Sequence, residues 1–113
     1  MGLAGHPPFV DLDKALERGY LPSAWMAAHE RSYVTLDQAL LLTMLMARDE
    51  VPRYPPVARR FLIRFIREAK PTLEQVKRVA DGLDVLGTPE AGVQAIEARK
   101  ALADLARQLR ERR

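Results

Sequence analysis

Apolar residues in this chain recur at spacings of three and four, with little strict alternation. That is the period of helices that bury one face, not of strands. Three stretches open alike: Val10-Asp11-Leu12-Asp13-Lys14-Ala15-Leu16, Val34-Thr35-Leu36-Asp37-Gln38-Ala39-Leu40 and Pro71-Thr72-Leu73-Glu74-Gln75-Val76-Lys77. Asp11, Thr35 and Thr72 stand where an N-cap side chain accepts bonds from the free amides of a first helical turn. Thr35 with Gln38, and Thr72 with Gln75, have the spacing of a capping box, in which two side chains each satisfy the other's backbone amide.

From these starts six helices follow. The first is predicted over Leu12 to Arg18, closed by Gly19, where a left-handed residue is wanted. The second follows Pro22 and runs over about Ser23 to Arg31, with Trp25, Met26 and Ala28 for packing. The third begins at Thr35. Its body, Ala39 to Ala47, is apolar nearly all round, which predicts burial on several sides and a central position. Pro52, Pro55 and Pro56 enforce a break. The fourth helix, about Pro56 to Ala69, places Val57, Ala58, Phe61, Leu62, Phe65, Ile66 and Ala69 on one wide face and Arg60, Arg64 and Arg67 opposite. The fifth covers Leu73 to Leu86, weakened by Gly82 within it and closed by Gly87. The sixth is expected to start with Thr88 as N-cap and Pro89 as first residue, and to reach about Arg112 with a stripe of Ala95, Ala98, Leu102, Leu105 and Leu109.

The expected fold is all-α: about six helices arranged as three antiparallel helical hairpins, in a compact bundle or a short α-solenoid-like array. Residues 1–8 are expected to be a flexible N-terminal tail and residues 9–113 a single helical domain. Thr35-Leu36-Asp37-Gln38 aligns with Thr72-Leu73-Glu74-Gln75, and Arg59-Arg60-Phe61-Leu62 with Arg99-Lys100-Ala101-Leu102, so the second and third hairpins share a helix, a proline-bearing loop and a basic amphipathic helix. The Trp, Gly and Tyr signature of tetratricopeptide repeats is absent.

Composition narrows the chemistry. At 113 residues, 48% of them hydrophobic, the chain is long enough for one core without staples. It has no cysteine. This excludes disulfides, thiolate nucleophiles and cysteine-based zinc sites, and fits a cytoplasmic setting. His6 stands where a myristoylation motif needs Ser or Thr. The run Ala39 to Ala47 is about half what a membrane span requires. The net charge of +3 is unevenly spread, with 4 basic and 7 acidic residues in 1–50 but 14 basic and 8 acidic in 51–113. Arginine outnumbers lysine 14 to 4, a preference that suits planar recognition of carboxylate or phosphate.

Few constellations carry chemistry. His29, four residues after Trp25, is placed to stack on it, and a metal would need further ligands that no other structured histidine supplies. Asp13 with Glu17, Asp49 with Glu50, and Asp81 with Asp84 are carboxylate pairs that solvated helix faces commonly carry. There are two serines, neither in a nucleophile-elbow pattern, no glycine-rich phosphate loop and no asparagine. No catalytic, cofactor-binding or metal residue is assigned, no cofactor or small-molecule substrate is implied, and the chain is expected not to be an enzyme.

Two surfaces remain. Arg59, Arg60, Arg64 and Arg67 form a candidate phosphate or nucleic-acid contact, with Arg53, Lys77 and Arg78 as possible neighbours; such contacts bind in a salt-dependent way. Leu41, Leu42, Met44, Leu45 and Met46 are a surplus of apolar surface for so small a chain and form a candidate apolar interface. The expected function is therefore a non-enzymatic helical protein–protein interaction module, adaptor, regulatory or self-associating, with nucleic-acid binding through the arginine-rich second half as the alternative. Phe61 and Phe65 are expected in the core rather than on a membrane.

Lys70-Pro71-Thr72-Leu73-Glu74-Gln75-Val76-Lys77-Arg78-Val79-Ala80-Asp81-Gly82-Leu83-Asp84-Val85 is similar to the stretch that follows the recognition helix in phage-repressor-type helix-turn-helix domains. The segment upstream, Arg59 to Lys70, is one continuous arginine-rich run without the turn between short helices that such domains use to read DNA. The similarity is one of helix capping.

Overall fold

The computed structural model describes residues 11–113 and is all-helical over them; the expected tail at 1–8 lies outside the described residues. The helices are α1 (Leu12–Arg18), α2 (Leu21–His29), α3 (Leu36–Asp49), α4 (Tyr54–Ala69), α5 (Leu73–Leu86) and α6 (Val93–Glu111), with a single 3-10 turn at Val51–Arg53.

The three shared helix starts work as capping chemistry requires. The Asp11 carboxylate accepts from the Asp13 amide at 3.0 Å. Both capping boxes are closed: Gln38 and Gln75 side chains accept from the Thr35 and Thr72 amides at 3.0 and 2.8 Å, and the threonine hydroxyls accept in return. Gly19 takes φ 71° and closes α1 through its amide to Ala15 and Leu16.

Three boundaries depart from expectation, each for a local reason. Helix α2 begins at Leu21, two residues early, because Pro22 sits in the first turn, where no intrahelical amide bond is lost. The same logic lets α4 begin at Tyr54, ahead of Pro55 and Pro56. Helix α6 starts late. The Thr88 hydroxyl donates back to the Asp84 carbonyl and so finishes α5 instead of capping α6, which starts after Gly92 at φ 58°. Met26, expected to pack, is 63% exposed; Ala28 is buried as expected, joined by Leu21, Ala24 and Ala27.

Helix α3 occupies the centre, packing against α1, α2, α4, α5 and α6. The sequential pairs α1–α2, α3–α4 and α5–α6 also pack together. Arg113, just beyond α6, reaches Asp13 on α1. Otherwise α1 and α6 are joined only through α3, against which both pack. Leu12, Leu40, Met46, Phe61, Phe65, Val79, Leu83 and Leu102 anchor the core. Buried Tyr54 donates its phenol to the Leu83 carbonyl at 2.7 Å, tying the start of α4 to the end of α5. Burial, followed by the Asp84 charge, pushes that phenol's pKa far above its ordinary value.

Candidate functional site

A buried polar knot sits at the start of α3. Asp37 and Gln38 are each only 2% exposed. The Thr35 hydroxyl donates to Asp37 Oδ1 at 2.7 Å, and Gln38 Nε2 donates to Asp13 Oδ1 at 3.0 Å. The Arg113 guanidinium donates to Asp37 Oδ2 at 3.0 Å and to the Asp13 carboxylate at 3.3 Å. Burial pushes the Asp13 carboxyl up, but the Gln38 amide and the charges of Arg113 and Arg110 outweigh it and hold it below the ordinary carboxylate range. Asp13 thus faces the knot, while Glu17 is exposed, so the two do not act as a pair. Among the described residues no buried side-chain nitrogen or oxygen lacks a partner. Each buried polar atom of the cluster has a partner within the chain, and the bonds clasp α1, α3 and the end of α6 together.

The arginine row on α4 is divided. Arg64 binds Glu68 through two bonds, at 2.7 and 3.1 Å, donates to the Tyr33 phenol and lies 5.4 Å over the Tyr33 ring. The Glu68 bond raises the Arg64 pKa, and the Arg64 bond lowers that of Glu68. This guanidinium is committed to a local, charge-assisted fork. Arg59, Arg60 and Arg67 are exposed and form no ion pair among the described residues. Ile63 lies one turn from each of them, and both Ile63 (47% exposed) and Ile66 (45%) face solvent. Beside them a furrow of about 350 Å³ runs between α4 and α5, lined by Ala58, Leu62 and Ala80 together with the charged Arg59 and Asp84.

The apolar set on α3 is mostly covered by the chain itself. Leu42 and Met46 are in the core, and Leu41, Met44 and Leu45 are half-buried against it. Five helices surround α3, which leaves its apolar girth little open surface. The exposed large apolar residues lie elsewhere, among them Met26 on α2, Ile63 and Ile66 on α4, Leu73 at the start of α5, and Val93 and Ile96 on α6.

The remaining candidates act locally. The His29 Nδ1 is 2.9 Å from the Trp25 carbonyl oxygen, and the two rings lie 4.8 Å apart, tilted. Asp49 pairs with Arg48 at 2.6 Å, and Arg48 also donates to the Gly19 carbonyl, so the ends of α1 and α3 are joined there. Among the described residues no three His, Asp or Glu side chains are grouped so as to hold a metal ion, and no helix is long and apolar enough to cross a membrane.

A second, larger groove of about 410 Å³ opens where the end of α4 meets α5 and α6. Phe65, Val79, Leu102 and Leu105 give it an apolar floor; Lys70, Arg78 and Arg112 stand at its rim. Sequence reasoning missed this groove. Two signals were present, a lysine where α4 needs a left-handed cap and a glycine inside α5, but only packing brings them to one place.

The chain matches no family model, and no curated protein and no solved structure matches it.

Proposed function

We propose that the chain is a non-enzymatic helical interaction module that docks an acidic, amphipathic protein helix on the outer face of α4. The reading rests on the arginine ring around Ile63. Two solvent-facing isoleucines, one turn apart, are bordered by Arg59, Arg60 and Arg67, none of which is paired among the described residues. Phosphate recognition has use for the arginines and none for the isoleucines. An amphipathic helix uses both: apolar side chains spaced three and four apart cover Ile63, Ile66 and the furrow beside Leu62, while its carboxylates meet the guanidinium groups. Arg64, already held by Glu68, stays outside the docking surface and stiffens it.

The chain has no cysteine, so Ile63→Cys creates a single labelling site for an environment-sensitive dye. The labelled protein is titrated with an acidic Leu/Glu helical peptide, a scrambled peptide of the same composition, and a generic 20-base-pair DNA duplex. The helical peptide is expected to blue-shift the dye saturably, and Arg59→Glu with Arg67→Glu to weaken it at least tenfold. Equal response to the scrambled peptide defeats the docking geometry. A stronger response to duplex, steeply lost with salt, transfers the face to nucleic acid. Dye burial that grows with protein concentration alone makes a second copy of the chain the occupant.

A further inference from the structure

At two positions the residue present is not the one that stability would select, and both line the groove between α4, α5 and α6. Lys70 closes α4 in the left-handed region at φ 48° and is the only non-glycine residue with positive φ among those described. Glycine, or occasionally asparagine, takes that position without the steric penalty a lysine bears. Gly82 lies inside α5, where glycine is a poor helix former. Neither its conformation nor its surroundings require it: its φ is not positive, and a Cβ there would stand 3.5 Å from the Leu102 side chain, an ordinary contact. Alanine would fit and favour the helix, with its methyl group against the Leu102 side chain that lines the groove. Sites where local rules are broken together, without a packing reason, are where function is expected to reside.

The lining gives the ligand its chemistry. The floor is apolar, with Phe65, Val79, Leu102 and Leu105. At the rim, Lys70 and Arg112 form no ion pair among the described residues, Arg78 meets Glu74 only at 3.8 Å, and the one acid, Asp104, is taken by Arg107 at 2.8 Å. The volume of about 410 Å³ is within the range of small-molecule sites.

We propose that this groove binds a small amphipathic anion, an apolar chain or ring bearing one anionic head. The tail lies over Gly82 against Leu102 and Phe65, and the head is held by Lys70 and Arg112. The site lies on the α6 side of α5 and does not depend on the docking proposed for α4, so either can fail alone.

The test uses octanoate as probe, with octanol and octyltrimethylammonium as controls, followed by amide chemical shifts and calorimetry. Octanoate is expected to bind saturably, with shifts centred on residues 69–82 and 101–112, at least tenfold tighter than octanol, and the cation not to bind. Gly82→Ala and Lys70→Gly each have a double signature. Both are expected to raise Tm by about 2–6 °C, Gly82→Ala by restricting the unfolded chain and Lys70→Gly by relieving the left-handed backbone, and to weaken octanoate at least fivefold. A purely structural role for these residues would not link the two changes in opposite directions. The proposal is overturned if octanoate does not saturate, if octanol binds as tightly, or if both stabilised variants keep the parent affinity.

Discussion

Arg112 and Arg113 are neighbours in the chain, yet they serve two regions built on opposite principles. Arg113 enters the knot at the start of α3, where Thr35, Asp37, Gln38 and Asp13 fill one another's hydrogen-bonding capacity. Arg112 lines the groove, as do Lys70 and Gly82. In the knot each buried polar atom has a partner. At the groove, Lys70 and Arg112 form no ion pair among the described residues, Lys70 takes a positive φ, and a glycine interrupts α5. On the ligand-binding reading proposed for the groove, the contrast separates a structural region from a functional one. Burial and charge alone do not separate them, since the more deeply buried charge belongs to the structural region. The separating property is whether local demands have been met.

The largest effect should come from splitting the two arginines. Arg113→Ala removes the ion-pair partner of an Asp37 side chain that is only 3% exposed. A buried acceptor deprived of its partner costs about 1–3 kcal/mol. Arg112→Ala leaves no such orphan and should stay within about 0.5 kcal/mol. Urea unfolding reads both as a change in midpoint at constant slope. Equal losses for the two variants would erase the distinction between the regions.

The glycines of α5 provide the next comparison. A Cβ at Gly87 would meet the Tyr54 ring at 3.0 Å. That ring is buried and held through its phenol to the Leu83 carbonyl, so it cannot give way. Gly87→Ala should therefore destabilise, by about 1–2 kcal/mol of overpacking. Gly82→Ala should do the opposite, stabilising by about 0.4–1 kcal/mol. Paired thermal melts check the signs. If Gly82→Ala destabilises, glycine is needed there for packing and the groove loses its main physical argument.

What the sequence disclosed follows the range of the interactions involved. Helix starts at Asp11, Thr35 and Thr72 were legible because a cap is set by residues within three positions. The central place of α3 was legible because an all-round apolar helix has to be surrounded. The start of α6 was misread because Thr88 can bond backward to Asp84 as readily as forward, and a single sequence does not rank the two. The knot was invisible: Asp13, Asp37 and Arg113 are separated by tens of residues, and each looks like ordinary surface charge until α1, α3 and α6 converge. For the same reason the apolar set on α3 suggested an interface. Counting Leu41 to Met46 gives the amount of apolar surface, but not the five helices that cover most of it. Ile63 and Ile66 stay exposed because they lie on the arginine side of α4 or at its margin, away from Phe61 and Phe65.

The smallest effect tests the knot through pH. Burial raises the Asp13 carboxyl, but the Gln38 amide, Arg113 and Arg110 bring it below its ordinary value, so the folded chain holds that proton less tightly than the unfolded chain. The resulting stability is fully present above about pH 4, where the unfolded carboxyl is also ionised, and is lost as pH falls through the lowered folded value. Asp13→Asn keeps an oxygen to accept from Gln38 and carries no titrating charge. Its unfolding free energy should fall less steeply than the parent's below pH 4. Some acid sensitivity should persist, because Glu68 and Asp49 are also lowered by their arginine partners. In Arg113→Ala the acid limb should shrink too, but less, since Gln38 and Arg110 still act on Asp13. If the Asp13→Asn and parent profiles run parallel from pH 6 to pH 2.5, the knot does not hold Asp13 as its geometry requires, and its contrast with the groove loses its electrostatic half.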